Sequence, residues 1–90
     1  MRDEPRETRL KRLRMRSMRR GIKEMDLILV RFCDAELEAM DPAALDAYER
    51  LLEENDQQIY AWITRVDPVP ETHAGLIARI RAGLDADPIR

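Results

Sequence analysis

Two side chains could supply nucleophilic chemistry: the single cysteine, Cys33, and the single histidine, His73. A histidine beside a cysteine can act as the base that activates the thiol. Cys33, however, follows Phe32 on an apolar helix face, which predicts a small buried residue. His73 falls in the first turn of a predicted helix, which predicts a surface position. We therefore expect no catalytic residue and no enzymatic activity.

Cofactor-binding patterns are also missing. The three glycines, Gly21, Gly75 and Gly83, fit neither the dinucleotide-binding G-x-G-x-x-G pattern nor a P-loop. We therefore expect the protein to hold no nucleotide cofactor by itself. A metal site would have to be built from carboxylates alone, and no spacing of Asp or Glu suggests one. Adjacent acids such as Glu53 and Glu54 point about 100° apart on a helix, which is typical of a solvated face.

The segment 19–24, with the sequence R-R-G-I-K-E, is the most informative part of the chain. Gly21 separates two helical patterns, where a helix C-terminus favours a residue that tolerates left-handed backbone geometry. Glu24 falls in the first turn of the next helix, where a negative charge is stabilised by the helix dipole. Arg20 and Glu24 are also close enough to pair. From spacing alone, the segment is a helix turn with a surface ion pair worth at most about 1 kcal/mol.

Helical periodicity recurs along the chain, and no strand pattern competes with it. The sequence predicts an all-α protein, a compact five-helix bundle in a single small domain. The first helix covers about residues 5–19, the third opens at Asp41-Pro42, the fourth at Asn55 or Asp56, and the fifth at Thr72. The core residues expected from helical spacing are Leu10, Leu13, Met18, Met25, Ile28, Leu29, Phe32, Leu45, Tyr48, Leu51, Leu52, Ile59, Trp62, Ile63, Val66, Leu76, Ile77, Ile80 and Leu84.

Within the single domain, residues 1–90, we expect a basic N-terminal arm at about 1–11, a folded core at about 12–84 and a frayed C-terminus at 85–90. Residues 1–24 carry ten Lys or Arg and four Asp or Glu, whereas the remaining 66 residues carry six and fourteen. Such opposed charge predicts an oriented encounter with a partner. A rival hypothesis is that the arm tracks the phosphates of a nucleic acid. The acidic remainder and the lack of aromatic residues in the arm argue against it.

The sequence predicts a bacterial cytoplasmic protein. No apolar run approaches the roughly 20 residues that span a bilayer. No apolar stretch of about 7 to 15 residues follows Met1, as a secretory signal requires. Three acids lie among the first seven residues, whereas a mitochondrial presequence is poor in acids. The lone Cys33 suits a reducing compartment.

Arg20, Gly21 and Glu24 form an R-G-x-x-E pattern that opens an amphipathic helix directly after a short basic one. The residues that follow in order are Met25-Asp26-Leu27-Ile28-Leu29, Phe32, Leu51-Leu52-Glu53, Asp56 and Trp62. In this order and spacing, over about residues 12–66, the chain resembles the succinate dehydrogenase assembly factor 2 family, called SdhE in bacteria. The arm is unusually basic for that family, and the segment after Pro68 carries no signature of it.

The resemblance implies a five-helix bundle that acts as an assembly factor or chaperone and not as an oxidoreductase. Such proteins bind the flavoprotein subunit of succinate dehydrogenase, and in bacteria also that of fumarate reductase. They promote covalent linkage of FAD to a histidine of that client, so FAD is the client's cofactor and is not bound by the factor itself. We expect a monomer when no client is present.

The family's functional patch carries over to Arg20, Gly21 and Glu24 as partner-binding residues, and Asp26 extends it. Our hypothesis is that Gly21 admits the backbone of the client while Arg20 and Glu24 make directional contacts. Direct acid–base catalysis by Glu24 is an alternative. Because family members have also carried a toxin–antitoxin label, a regulator that acts on another client through the basic helix is a further alternative.

Overall fold

The computed structural model describes residues 4–88, which form five α-helices and no strand. The helices are α1 (Arg6–Arg16), α2 (Lys23–Glu36), α3 (Pro42–Leu52), α4 (Asp56–Ile63) and α5 (Glu71–Ala86), with a 3₁₀ turn at Leu37–Ala39. The prediction of an all-α, five-helix fold is confirmed. α1 begins inside the predicted arm, and α5 ends inside the segment predicted to fray. Residues 1–3 and 89–90 lie outside the described residues, so those boundaries stay predictions.

Side-chain caps explain where α3 and α4 begin. The Asp41 carboxylate accepts a hydrogen bond from the Ala44 amide at 2.8 Å, and proline occupies the first position of α3. At α4 the side-chain oxygen of Asn55 accepts from the Gln57 amide at 2.8 Å. Each cap satisfies an amide that has no partner within its own helix. Both predicted helix starts are confirmed, with Asn55 as the cap of α4.

Two predicted positions near α4 and α5 are wrong. Thr72 does not cap α5, because the extended backbone of Pro70 already starts the helix at Glu71. Val66 is exposed and does not face the core. The reason is that α4 ends at Ile63 and the chain then reverses through Arg65, whose φ of 65° is left-handed.

One apolar core joins all five helices. Its buried apolar residues are Leu13, Met25, Ile28, Leu29, Phe32, Cys33, Leu37, Met40, Leu45, Tyr48, Leu51, Leu52, Ile59, Trp62, Ile63, Leu76, Ile77 and Ile80. Leu10 and Leu84 pack against this core while partly buried, and Met18 is exposed, contrary to the prediction. Full burial of one aliphatic or aromatic side chain is worth roughly 1.5–3 kcal/mol. The packing of these residues therefore holds the helices together.

A small polar cluster lies inside this core. The Ser17 Oγ atom is 2.5 Å from the Tyr48 Oη atom, and the Cys33 Sγ atom is 3.3 Å from the first and 3.4 Å from the second. Ser17 also donates to the Leu13 carbonyl at 2.8 Å. Burial, together with the neighbouring Cys33 thiol, raises the pKa of Tyr48 above its ordinary value of 10.0. The prediction that Cys33 is a core residue is confirmed.

Ion pairs dock the basic face of α1 onto α3. Arg9 contacts Asp46 at 2.5 Å and Glu49 at 3.1 Å, and Arg12 contacts Glu49 at 2.8 Å. Arg6 donates to two backbone carbonyls in the segment 38–40, at 2.8 and 2.7 Å. The Arg12 guanidinium, with help from Arg9, holds the pKa of Glu49 below its ordinary value. Much of the charge asymmetry seen in the sequence is thus compensated inside the molecule.

Candidate functional site

The R-G-x-x-E residues lie at the turn between α1 and α2. Arg20 and Gly21 belong to the connection, and Glu24 lies in the first turn of α2, as predicted. The expected left-handed conformation at Gly21 is wrong. The positive φ of this turn is found at Arg19, at 55°. The chain therefore reverses two residues before the glycine.

Arg20 points toward the connection between α3 and α4. Its Nε atom donates to Asp56 Oδ1 at 2.5 Å, and its two Nη atoms donate to the carbonyls of Leu52 and Glu54 at 3.2 and 3.3 Å. The side chains of Arg20 and Asp56 are only 13% and 19% exposed. The predicted pairing of Arg20 with Glu24 is wrong, because carbonyls at the end of α3 lack helical partners and, with Asp56, they satisfy the guanidinium.

Asp56 also explains why residue 21 is a glycine. The Gly21 amide donates to Asp56 Oδ2 at 2.6 Å. A Cβ atom at position 21 would lie 3.3 Å from the same oxygen, which is tighter than an ordinary contact. The close approach of a carboxylate, and not a positive φ, is what favours glycine at this position. On the other side of the turn, the Arg20 amide donates to the carboxylate of Asp26, so two aspartates fix the turn.

Glu24 differs from the other motif residues because its charge is directed to solvent. It is exposed, and its carboxylate forms no hydrogen bond or ion pair with any residue in 4–88. Arg20, Gly21 and Asp26 all make hydrogen bonds within the chain. The site therefore consists of a turn held by internal bonds and an adjoining carboxylate that is available to a partner.

His73 is buried, so its predicted surface position is wrong. Its Nε2 atom lies 2.9 Å from Glu54 Oε2, and its ring centroid is 5.2 Å from that of Trp62. Cys33 has different partners, in the polar cluster of the core, so the structure does not bring the two together as a nucleophilic pair. Glu54 links α5 to the site, since its carboxylate contacts His73 and its carbonyl accepts from Arg20.

Most cations of α1 are already occupied. Within residues 4–24, those without an ion pair or side-chain hydrogen bond are Lys11, Arg19 and Lys23. This leaves little of the basic charge on which the nucleic-acid hypothesis depends.

The described part of the chain offers recognition chemistry at this site in the form of hydrogen bonds, the exposed carboxylate of Glu24 and apolar surface. Over residues 4–88, no three His, Cys, Asp or Glu side chains converge as metal ligands. No helix in that range is both long and apolar enough to cross a bilayer.

A small helical bundle that presents a fixed turn and an exposed carboxylate has a surface of the kind suited to protein recognition. Comparison with known families identifies the family to which it belongs. The family model described as flavinator of succinate dehydrogenase matches residues 11–83, most of the chain. The chain belongs to this family, whose members are assembly factors and not enzymes. The predicted family and the predicted lack of enzymatic activity are thereby confirmed.

Several fungal proteins named succinate dehydrogenase assembly factor 2, mitochondrial, are similar to this chain. That of Meyerozyma guilliermondii is 44% identical over 71 residues, covering 76% of this chain and 53% of the relative. That of Mycosarcoma maydis is 42% identical over 67 residues, with 74% and 28% covered. That of Aspergillus flavus is 43% identical over 63 residues, with 70% and 22% covered. The chain thus spans between about a fifth and about a half of the length of these relatives.

The prediction of a bacterial cytoplasmic protein is wrong in the light of these relatives. They come from fungi and are named mitochondrial proteins. The prediction relied on acidic residues near the start of the chain and on the single cysteine. The similarity, by contrast, lies in the folded helices, whose sequence does not report a compartment.

Proposed function

We propose that this chain binds the flavoprotein subunit of succinate dehydrogenase and promotes covalent attachment of FAD to it. Family membership supports the assembly role. The observation that supports binding of the flavoprotein is Glu24, whose carboxylate is exposed and unpaired beside a turn that Asp56 holds in place. Such a combination suits an interface, because a pre-organised surface loses little conformational entropy when a partner docks.

The four predicted partner-binding residues divide into two groups in this proposal. Arg20 and Asp26 shape the turn from within, since both make hydrogen bonds inside the chain. Gly21 and Glu24 face the client. Gly21 is exposed and has no side chain, so client backbone can approach it closely. Glu24 supplies a carboxylate that accepts hydrogen bonds from a client donor or pairs with a client cation.

The mechanism that we propose is conformational. The flavin itself supplies most of the chemistry of its attachment, whereas proteins supply orientation and electrostatics. A bound factor assists by holding the client in the arrangement that brings the flavin ring and its histidine together. Direct proton transfer by Glu24 is not needed for this role.

FAD is bound by the client and not by this chain. The flavoprotein subunit of fumarate reductase is a second client, because the contacts invoked lie on the factor and need only a similar flavoprotein surface. The free factor is a monomer whose turn is exposed to solvent. On binding, this turn contacts the client.

The test is covalent flavin on the client, measured by in-gel fluorescence in cells that lack their own factor. Gly21→Arg places a bulky cation on the turn and should abolish flavinylation. Glu24→Gln keeps the shape, removes the charge and should reduce flavinylation by about tenfold or more if the carboxylate meets a client charge. Glu7→Gln is the matched control, an exposed glutamate in the first turn of α1 that should change nothing.

Circular dichroism and urea unfolding must accompany each variant, so that loss of folding is separated from loss of docking. Folded Gly21→Arg protein that restores flavinylation to the normal level would show that the turn has no role in the client contact. The proposed binding of the client through this turn would then be wrong, whereas the assembly role would stand.

A further inference from the structure

An open apolar groove adjoins the unpaired carboxylate of Glu24. It has a volume of about 480 Å³, enough for one or two large side chains. It lies where α2 passes α4 and the end of α5. The lining residues that matter here are Leu27, Tyr60, Ile63 and Leu84, with Glu24 and Arg65 as the charged ones.

Leu27 is the unusual residue of this groove. Its side chain is 46% exposed, whereas Met25, Ile28 and Leu29, its apolar neighbours on α2, are buried. Glu24, Leu27 and Ile28 follow the i, i+3, i+4 spacing, so they form one continuous strip along the helix. The groove therefore continues the surface that begins at Gly21 and Glu24.

The charges at the groove indicate the chemistry of its occupant. Glu24 has no partner across residues 4–88, while Arg65 is paired with Asp85 at 3.3 Å. Among the residues that line the groove, the unpaired charge is therefore negative, and it lies one helical turn from the exposed Leu27. A complementary segment presents an apolar side chain to the groove and a lysine or arginine to Glu24.

We propose that this groove is a second part of the client interface and receives an apolar anchor side chain from a flavoprotein segment that also carries a cation for Glu24. The inference rests on the proposed function and adds to it the kind of client segment that is recognised. Fully desolvated apolar anchors in pockets carry a large share of binding energy at protein interfaces. Contact at the turn alone would leave Leu27 in water.

The binding test compares two matched glutamine substitutions. Leu27→Gln removes the apolar side chain from the groove, and Met15→Gln does the same for a 67% exposed methionine on α1, outside the groove. Leucine, methionine and glutamine have similar helix propensities, so both variants should fold normally. With the purified client flavoprotein, we expect Leu27→Gln to raise Kd by at least about tenfold and Met15→Gln to leave it unchanged.

Gly21→Arg, measured in the same titration, separates the two proposals. If Gly21→Arg abolishes binding and Leu27→Gln has no effect, the groove is not part of the interface, although the proposed function stands. If neither variant changes Kd, the client contact itself is wrong. A Leu27→Gln protein with reduced unfolding free energy is replaced by Leu27→Lys, in which the added cation faces Glu24 and should also block the groove.

Photo-crosslinking identifies the occupant directly. A benzoylphenylalanine at position 64, an exposed position that lines the groove and leaves Leu27 in place, should in the presence of client capture a client peptide that contains an apolar residue within about one helical turn of a Lys or Arg. Two other occupants are distinguishable by mass. A crosslink to a second copy of the chain, or to the chain's own Ile89-Arg90, in place of the client would overturn the proposal.

Discussion

Arg20 and Asp56 form a hydrogen-bonded ion pair, with 2.5 Å between Nε and Oδ1, across 36 residues of sequence. The second carboxylate oxygen of Asp56 binds the neighbouring amide of Gly21 at 2.6 Å. Neither charged side chain is as much as one-fifth exposed. Removal of one partner from a pair this shielded from water costs more stability than removal from a surface pair. The reason is that water cannot reach the remaining charge to replace the lost hydrogen bond.

The first prediction concerns this pair. Asp56→Asn keeps the shape of the side chain and removes its charge, so we expect a loss of roughly 1–3 kcal/mol in the free energy of unfolding. Urea denaturation measures it. The control is Asp85→Asn, since the Asp85–Arg65 pair is mostly exposed and should contribute at most about 1 kcal/mol. Equal effects in the two variants would contradict the structural role of Asp56.

The second prediction concerns the left-handed backbone at Arg19. Strain there arises from the Cβ atom, so Arg19→Ala retains it and Arg19→Gly relieves it. Glycine also loses more conformational entropy on folding, which offsets part of the gain. We expect the glycine variant to be more stable than the alanine variant by about 0.5–1 kcal/mol. Thermal unfolding of the two side by side is the measurement, and a less stable glycine variant would refute the assignment of strain.

The third prediction concerns Tyr48 at high pH. Because burial raises its pKa in the folded protein above the ordinary value of 10.0, the unfolded chain releases this proton first. The contribution of protonated Tyr48 to the free energy of unfolding is fully present below pH ~10. It is lost as pH rises further, at about 1.4 kcal/mol per pH unit. Tyr48→Phe should remove this decline from the pH dependence of unfolding. Tyr60→Phe, which leaves Tyr48 in place, should retain it.

The fourth prediction concerns Glu49 at low pH. Arg12 and Arg9 lower the pKa of Glu49 in the folded state below its ordinary value of 4.5. The stability that the ionised Glu49 contributes is fully present above pH 4.5, and it is lost as pH falls through the lower pKa of the folded state. Since the Arg12 side chain is more than a third exposed, we expect Glu49→Gln to cost at most about 1 kcal/mol at pH 7. The difference from the wild type should shrink as pH falls below 4.5 and the carboxylate of Glu49 becomes protonated.

Urea unfolding at several pH values tests this, with Glu53→Gln as the control. Glu53 is exposed and forms no ion pair across residues 4–88, so its variant should follow the wild type at every pH. A Glu49→Gln curve that keeps its separation from the wild type in acid would exclude the ion pair as the cause.

The fold could be predicted because local signals agreed with one another. Met25, Ile28, Leu29 and Phe32 follow helical spacing, and all four are buried. The Asp41-Pro42 start of α3 depends on atoms three residues apart, so it is readable from the sequence. Val66 shows the limit, since helical spacing continues formally past the point where the chain has already reversed.

The site could be predicted only in part, because its contacts are long-range. R-G-x-x-E located the turn, and Glu24 is exposed in the first turn of α2 as expected. The partner of Arg20 is 36 residues away, and the burial of His73 depends on Trp62 and Glu54 in other parts of the chain. No local spacing contains that information. The sequence shows that Asp56 follows the motif, but it does not show that Asp56 binds the Gly21 amide.

The amide hydrogen of Gly21 is held by a carboxylate that belongs to another helix. Its exchange with deuterium therefore requires this hydrogen bond to open, through movement of the Asp56 side chain or of the turn away from the start of α4. Loosening of the start of α4 would release the α1–α2 turn, the surface that we propose a client meets. The amide of residue 21 can thus serve as a spectroscopic reporter of how often this turn leaves the arrangement that we propose for binding.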